Sequence, residues 1–391
     1  MNHIVTDILD PTKGSEWQAS TKFIEFLAIK KNEKITLWTM NKGNKKTIDD
    51  WLEIKKINKN LKVNYIDMKF ADKDYNHRSQ FLFILDLIRF HKIIFKKIPK
   101  RDFIWKAGQI NFFYNFLFLF KKRKMALGPL SGFEYIPVFR LRKFLPFKMI
   151  LYYVFYNSII FISRLIYKAF FFLNHRDNFI FFATKKDLNI FKKNFLFRDF
   201  NFHVIFEANL EHIINNKFNV KKDQKSSKLV LWSGSMIYRK NPFLAMDILE
   251  NIDNANTLMI GDGELLIDIK NKAKKNDVAI KSNFPRDQFL EILRKCSILL
   301  VTSIREVNSV LILEAAALNI PIVSFHVSGM QYFVNRVGKT IKIDNNAKDN
   351  FIDFINRQIV NDKHFNGRNV IKEVIVDEYK VLEKCFLSIE S

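Results

Sequence analysis

A chain of 391 residues is too long for one ordinary hydrophobic core, so two domains are expected, and 48% hydrophobic content excludes a disordered chain. Its two cysteines, Cys296 and Cys385, are too few for a disulfide framework, lie outside any metal-like cluster and fit a reducing compartment. A formal charge of +24 with 41 phenylalanines attracts polyanions; between nucleic acid and an anionic bilayer, exposed aromatics beside Lys and Arg favour the bilayer. An AT-rich genome, enriching Lys, Asn, Ile and Phe, is the plain alternative source of this composition.

In the first half, residues 4–8, 35–39, 63–67 and 103–106 read as strands, and residues 16–30 as a helix after the turn Gly14-Ser15. The first seven residues lack the charged and apolar regions of a signal peptide, so a cytoplasmic protein is expected. Basic residues and aromatics interleave through 92–124 and 140–168. Residues 149–173 are the longest apolar run, interrupted by Asn157, Ser158, Ser163, Arg164 and Lys168. A membrane span needs about 20 mostly apolar residues, and each central Arg or Lys opposes insertion by about 2.5–3.5 kcal/mol. That disfavours a spanning helix. A helix lying in the interface, Arg164 and Lys168 turned to headgroups, is the favoured reading, with a core helix as the alternative. Residues 179–184 and 204–207 read as strands closing the first domain.

The second half is more regular. Strands at 229–232, 257–260, 278–281, 298–302, 322–325 and 340–343 alternate with helices at 242–250, 265–274, 287–295 and 309–318. Asn241 is the expected N-cap of the first of these helices, with Pro242 at its first position. Such alternation implies a parallel sheet covered on both faces, with ligands beyond the carboxyl ends of the strands. The expected boundaries are an N-terminal domain at 1–210, a linker at 211–227, a second domain at 228–365, and a C-terminal helix at 366–391 that packs back on the N-terminal domain.

Glu306 and Glu314 stand eight positions apart, one in a polar turn after a strand and one inside an apolar helix. A carboxylate among Ile312, Leu313, Ala315 and Ala316 is costly unless it binds something. Glu314 can accept two hydrogen bonds from a vicinal diol such as a ribose. The helix begins near Asn308-Ser309, where the amides of Ser309, Val310 and Leu311 and the positive dipole end suit a phosphate. Glu306 can hold a sugar hydroxyl on the far side of that phosphate. Together these residues would grip a nucleotide sugar at three points.

With these motifs the chain resembles the retaining GT-B glycosyltransferases of family 4. The acidic pair matches Glu306 and Glu314, followed by Ala315-Ala316-Ala317-Leu318-Asn319-Ile320-Pro321 and the loop His326-Val327-Ser328-Gly329. The turn Gly261-Asp262-Gly263-Glu264, the glycine Gly234 and the diphosphate-binding lysine Lys240 complete the set, which covers about residues 228–330. In the first half, Lys13-Gly14-Ser15-Glu16 resembles the family's glycine loop facing donor phosphates and acceptor. Gly128-Pro129-Leu130-Ser131-Gly132-Phe133-Glu134 resembles a segment of a branch that builds bacterial surface polysaccharides. The resemblance implies two Rossmann-like doubly wound domains facing across a cleft and a metal-independent, retaining transfer needing no cofactor. It also implies a UDP- or GDP-linked donor, with an undecaprenyl-diphosphate-linked acceptor at the inner face of a bacterial membrane. Glu306, Lys240 and Arg239 would be catalytic, Lys240 and Arg239 stabilising the leaving diphosphate. Glu314, Gly234, Gly261, Asp262, Gly263, Phe284, Asn308, Ser309, Val310 and Leu311 would bind the donor, and Gly14 and Ser15 the acceptor side.

The chain departs from the family in three places. Ser235-Met236-Ile237-Tyr238 follow Gly234 where an arginine is usual, and Arg239 is the replacement. Val307-Asn308 follow Glu306 in place of the family's Gly-Phe or Gly-Leu. No histidine occupies the mid-domain strand end, leaving Trp105, Lys106 or Gln109 to fill its space. Asp72-Lys73-Asp74 has the pattern of a metal-binding motif from another glycosyltransferase fold and is read as a solvated turn; no metal site is expected. His326 is read as a loop histidine, Asn283-Phe284-Pro285-Arg286 either as a loop holding the base largely through its backbone or as a purely structural turn, and Cys296 as core. A GT-B nucleotide-sugar epimerase is the alternative activity. A basic nucleic-acid-binding protein is the alternative class, disfavoured because no nucleic-acid motif is present.

Overall fold

The computed structural model describes residues 2–11, 20–57, 59–70, 80–108, 123–174, 178–193, 195–197, 199–215, 228–273, 278–282, 284–307, 309–327, 329, 331–361 and 365–390. Gly14, Ser15, Gln109, Asn283, Asn308, Ser328 and the Asp72-Lys73-Asp74 turn lie outside the described residues, as do residues 216–227 of the expected linker. The chain divides into two compact units. Unit 1 comprises Met1–Glu134, Ile160–Asn209 and Asp377–Ser391; unit 2 comprises Tyr135–Ile159 and Leu210–Val376. Residues 135–159 thus group with unit 2 although they precede the last strands of unit 1.

Unit 1 contains a parallel seven-stranded sheet. Its strands are β1 (Asn2–Thr6), β2 (Ile35–Asn41), β3 (Leu61–Asp67), β4 (Phe103–Ala107), β5 (Met125–Leu130), β6 (Phe179–Phe182) and β7 (Phe202–Val204). Their order is β3-β2-β1-β4-β5-β6-β7. Ile4, Leu37, Trp105 and Phe181 pack on one face of this sheet, together with Leu382, Cys385 and Phe386 from the far end of the sequence. β5 escaped the sequence reading because its Gly128-Pro129 step looks like a turn. Here proline is tolerated where the pairing with β6 shifts register between Leu127 and Leu130. The predicted final strand at 204–207 lies instead at Phe202–Val204.

Unit 2 contains a parallel six-stranded sheet: β8 (Leu229–Ser233), β9 (Asn256–Ile260), β10 (Ala279–Lys281), β11 (Ile298–Val301), β12 (Ile322–Phe325) and β13 (Gly338–Ile341). The order is β10-β9-β8-β11-β12-β13. The chain builds outward from β8 in one direction, then returns beside it at β11 and builds outward in the other. That reversal makes the carboxyl ends of β8 and β11 a topological switch point, where open α/β sheets bind ligands.

The helices include α1 (Phe147–Asn174), α2 (Pro242–Leu249), α3 (Arg286–Lys295), α4 (Val310–Ala317) and α5 (Gly367–Glu390). Asn241 precedes α2 as expected, but its side chain does not cap the helix. Its backbone is left-handed, φ 52° and ψ 58°, rather than the extended form that aims a capping side chain at the first-turn amides. α5, Gly367–Glu390, falls where a C-terminal helix at 366–391 was expected.

Candidate functional site

β8 and β11 end side by side, their register pairing Leu300 with Trp232. Beyond β8 the chain turns through Gly234 and Ser235 into a short 3₁₀ turn, Tyr238–Lys240. Thr302, just beyond β11, fixes that turn. Its buried hydroxyl donates to the carbonyls of Lys240 (2.8 Å) and Asn241 (3.0 Å), and accepts the Trp232 indole N–H at 3.0 Å. The Ile304 amide donates to the Arg239 carbonyl at 3.0 Å. Lys240 and Glu306 therefore meet because the ends of two adjacent strands are laced together.

Their side chains form a tight cluster. Lys240 Nζ donates to Glu306 Oε2 at 2.5 Å, and Arg239 Nη1 lies 3.4 Å from the same oxygen. Arg239 also donates to the Arg305 carbonyl at 3.1 Å. The three residues read as catalytic thus converge, with Glu306 only 10% exposed and two cations on one carboxylate oxygen. Two glycines hold the surrounding turns. A Cβ on Gly261 would collide with the Gly234 carbonyl, and one on Gly329 with the Val307 carbonyl. Gly329 also donates its amide to the Glu306 carbonyl at 3.2 Å. Gly329 is thereby a backbone clamp on the glutamate turn, while His326 is exposed, its Nδ1 3.0 Å from Thr340 Oγ1.

A pocket of about 500 Å³ opens beside the cluster. Gly234, Lys240, Gly261, Asp262, Phe284, Ser309 and Leu311, all expected at the site, line it, joined by Ser233, Ser235, Ile260, Arg286 and Phe289. Val310 heads α4 but is not in the lining. Gly263 shapes the turn, since a Cβ there would press on the Met236 backbone. The leading amides of α4 have no earlier turn to bond and give the pocket a positive end. Among the described residues a larger hollow, about 930 Å³, opens where β8, β9 and β10 begin, at Leu229, Asn256 and Ala279. It lies at the amino ends of the strands, away from the switch point and the charged cluster.

Glu314 sits behind the pocket, its side chain 6% exposed. Oε1 accepts from Arg286 Nη2, whereas Oε2 is buried with no hydrogen-bond partner among the described residues. The guanidinium of Arg286 also lies over the Phe289 ring, 5.4 Å from its centroid. Burial pulls the Arg286 pKa down, against the charge of Asp287. Arg286 was missed as a side-chain participant because its loop was read for backbone contacts. The available signal was its position as the first residue of α3, directly after Pro285. Arg305 was missed too. Its guanidinium stacks 4.7 Å from the centroid of Tyr156 on α1, next to Tyr153, whose phenol burial pushes up to about 12.

The expectation for Trp105 and Lys106 is corrected. Trp105 is core, 1% exposed, its indole N–H reaching Asn2 Oδ1 at 3.3 Å. Lys106 is fully buried and donates to Asp7 Oδ2 at 2.8 Å, while His91 Nε2 lies 3.0 Å from Asp7 Oδ1. Burial opposes charge on all three. It holds His91 and Lys106 below their usual values, yet the Lys106 charge and the His91 hydrogen bond keep Asp7 below its own. With its ammonium committed to Asp7, Lys106 ties β4 to the end of β1.

Residues 214–373 match the family model described as Glycosyl transferases group 1. That stretch contains the whole pocket and the Lys240–Glu306 cluster. An uncharacterized glycosyltransferase of Methanocaldococcus jannaschii is 26% identical over 167 residues, 39% of this chain and 47% of that protein. The chain therefore matches about half the length of this curated relative. Among solved structures, WaaG, a glycosyltransferase involved in lipopolysaccharide biosynthesis, aligns over 98% of both chains at 13% identity, TM-score 0.53. Anabaena HepE in complex with UDP and glucose aligns over 98% of this chain and 99% of its own at 11% identity, TM-score 0.60. Sucrose-phosphate synthase from Thermosynechococcus elongatus aligns over 99% of both at 12% identity, TM-score 0.62. At these identities the likeness is one of fold, the two parallel-sheet α/β domains of GT-B enzymes. The family match and the archaeal relative support a glycosyltransferase.

Proposed function

We propose that the protein is a retaining, metal-independent glycosyltransferase moving a sugar from a UDP- or GDP-linked donor to an undecaprenyl-diphosphate-linked acceptor. Its role would be in synthesis of O-antigen, capsule or a related surface polysaccharide at the cytoplasmic face of the membrane. The observation that carries this reading is the pocket itself. A 500 Å³ hollow in the matched domain is lined by Lys240, by Ser309 and Leu311 at the start of α4, and by Arg286, which holds the buried Glu314 carboxylate behind it. HepE, solved with UDP and glucose, makes UDP the first donor nucleotide to test.

In this reading Glu314 holds the ribose diol and Phe284 borders the base. The diphosphate lies between the α4 amides and Lys240, so the leaving group's growing charge meets donors already in place. Glu306 orients the donor sugar, and the acceptor hydroxyl attacks from the face the diphosphate leaves. The test is transfer from a panel of nucleotide sugars to membrane lipid acceptors, with and without EDTA, with the anomer assigned by NMR. Transfer with retained configuration in EDTA is expected. No transfer from any donor, strict metal dependence, or release of nucleotide and an epimerised sugar without acceptor would overturn it.

A further inference from the structure

Helix α1 shows its apolar side to solvent. Phe147, Leu151, Phe155, Phe161, Ile162 and Leu165 are all exposed, Phe147 to 75% and Phe155 to 66%. At about 100° per residue their directions fall within an arc of roughly 120°. Tyr153, Ile160, Tyr167 and Phe171 are buried and point the opposite way. From Phe147 to Leu165 the stripe is roughly 27 Å long at 1.5 Å per residue. An exposed apolar patch of this extent marks a binding surface.

Charge identifies the occupant. Residues 135–174 carry six basic side chains, Arg140, Arg142, Lys143, Lys148, Arg164 and Lys168, and not one Asp or Glu. Arg140, Arg142, Lys143 and Lys148 are exposed at the start of the helix, beside Phe139 at 88% exposure. A second copy seated on this face would bring like charges together. An anionic bilayer offers both an apolar interior and the opposite charge.

Although long and apolar enough to cross a membrane, α1 is fastened along its inner side. The Asn157 side chain exchanges two 2.9 Å hydrogen bonds with the Ile136 backbone. Arg164 Nε donates to the Phe133 carbonyl at 2.6 Å, and Tyr167 packs edge-on against the Phe133 ring. Spanning would strip these contacts away.

We propose that α1 lies flat in an anionic membrane interface, its Phe147–Leu165 stripe among the acyl chains and the cluster from Arg140 to Lys143 on the headgroups. The inner side of the same helix braces the site turns of unit 2, through Tyr156 under Arg305 and Lys148 over the Tyr238 ring at 5.6 Å. Docking would therefore bear directly on the segments holding Arg239 and Glu306.

The test is flotation of the full-length chain with phosphatidylcholine vesicles, with or without phosphatidylglycerol, in the absence of donor and acceptor. It can fail independently of the transfer reading. Binding to phosphatidylglycerol vesicles is expected, weakened by salt. Phe155→Asp with Phe161→Asp should weaken it by about tenfold or more, as should Arg142→Glu with Lys143→Glu. Circular dichroism and UDP binding report whether each variant is folded. The proposal is overturned if the wild type does not bind anionic vesicles, if folded apolar-face variants bind as well as wild type, or if Phe155→Asp with Phe161→Asp instead dissolves a dimer.

Discussion

Replacing Glu314 by glutamine tests the nucleotide reading at its most buried point. The carboxylate sits 6% exposed, one oxygen on Arg286 and the other without a hydrogen-bond partner among the described residues. A ribose diol reaching it would donate two hydrogen bonds to a charged acceptor, each worth about 1.5–3 kcal/mol. Displacing Arg286, itself 55% exposed, offsets about 1 kcal/mol at most. Glutamine keeps the shape and loses the charge, which halves each hydrogen bond, so the net loss is about 1.5–3 kcal/mol. That is a rise in nucleotide Kd of roughly 10- to 150-fold. Calorimetry with UDP and GDP, and with the 2′- and 3′-deoxy forms of whichever binds, gives a cycle. The wild type should lose affinity when either hydroxyl is removed, and the variant should lose less. Equal affinity of Glu314→Gln and wild type, or identical sensitivity of both to the missing hydroxyls, would refute the assignment.

Lys240→Ala should slow transfer by about 10²–10³-fold in kcat while raising the UDP Kd far less, because the ammonium matters most as charge builds on the leaving group. Gly261→Ala should drive a Cβ into the Gly234 carbonyl, costing about 1–3 kcal/mol by thermal melt and weakening UDP binding together. Lys106→Met leaves Asp7 buried without its cation and should cost about 3–5 kcal/mol in urea unfolding, with the UDP affinity of unit 2 unchanged. Burial holds His3, His91 and His203 below the ordinary 6.5, His203 to about 4. Between those limits the unfolded chain binds protons that the folded chain refuses, so stability is full above pH 6.5 and falls as pH drops toward 4. His203→Gln should flatten that slope in melting curves.

Unit 2 was legible because its central strands β8, β11 and β12 are short, mostly apolar runs and strands alternate with helices. The alternation survives without knowledge of packing. The Lys240–Glu306 meeting was foreseen only as a common destination. The lacing by Thr302 and Trp232 that produces it has no local signature, since it depends on β8 and β11 being neighbours. Unit 1 was harder. β5 hides a Gly-Pro step inside a strand, and Lys106, a polar residue in an apolar strand, reads equally well as a site residue or as one half of a buried ion pair. Its partner, Asp7, lies 99 positions away in sequence. For α1, composition suggested an interfacial helix, but only the fold reveals which side is fastened and which is bare.

The closing stretch of α5 places Leu382, Cys385 and Phe386 in the core of unit 1, and Glu378 receives the buried Lys22 ammonium at 2.7 Å. During synthesis these residues leave the ribosome after every strand of unit 2. The first sheet to be translated must therefore wait, its core missing three side chains and Lys22 lacking its counter-charge, until the second is already available to fold. Nascent chains halted shortly before residue 378 should accordingly carry a protease-sensitive unit 1 beside a more resistant unit 2, reversing the usual order in which domains mature along a chain.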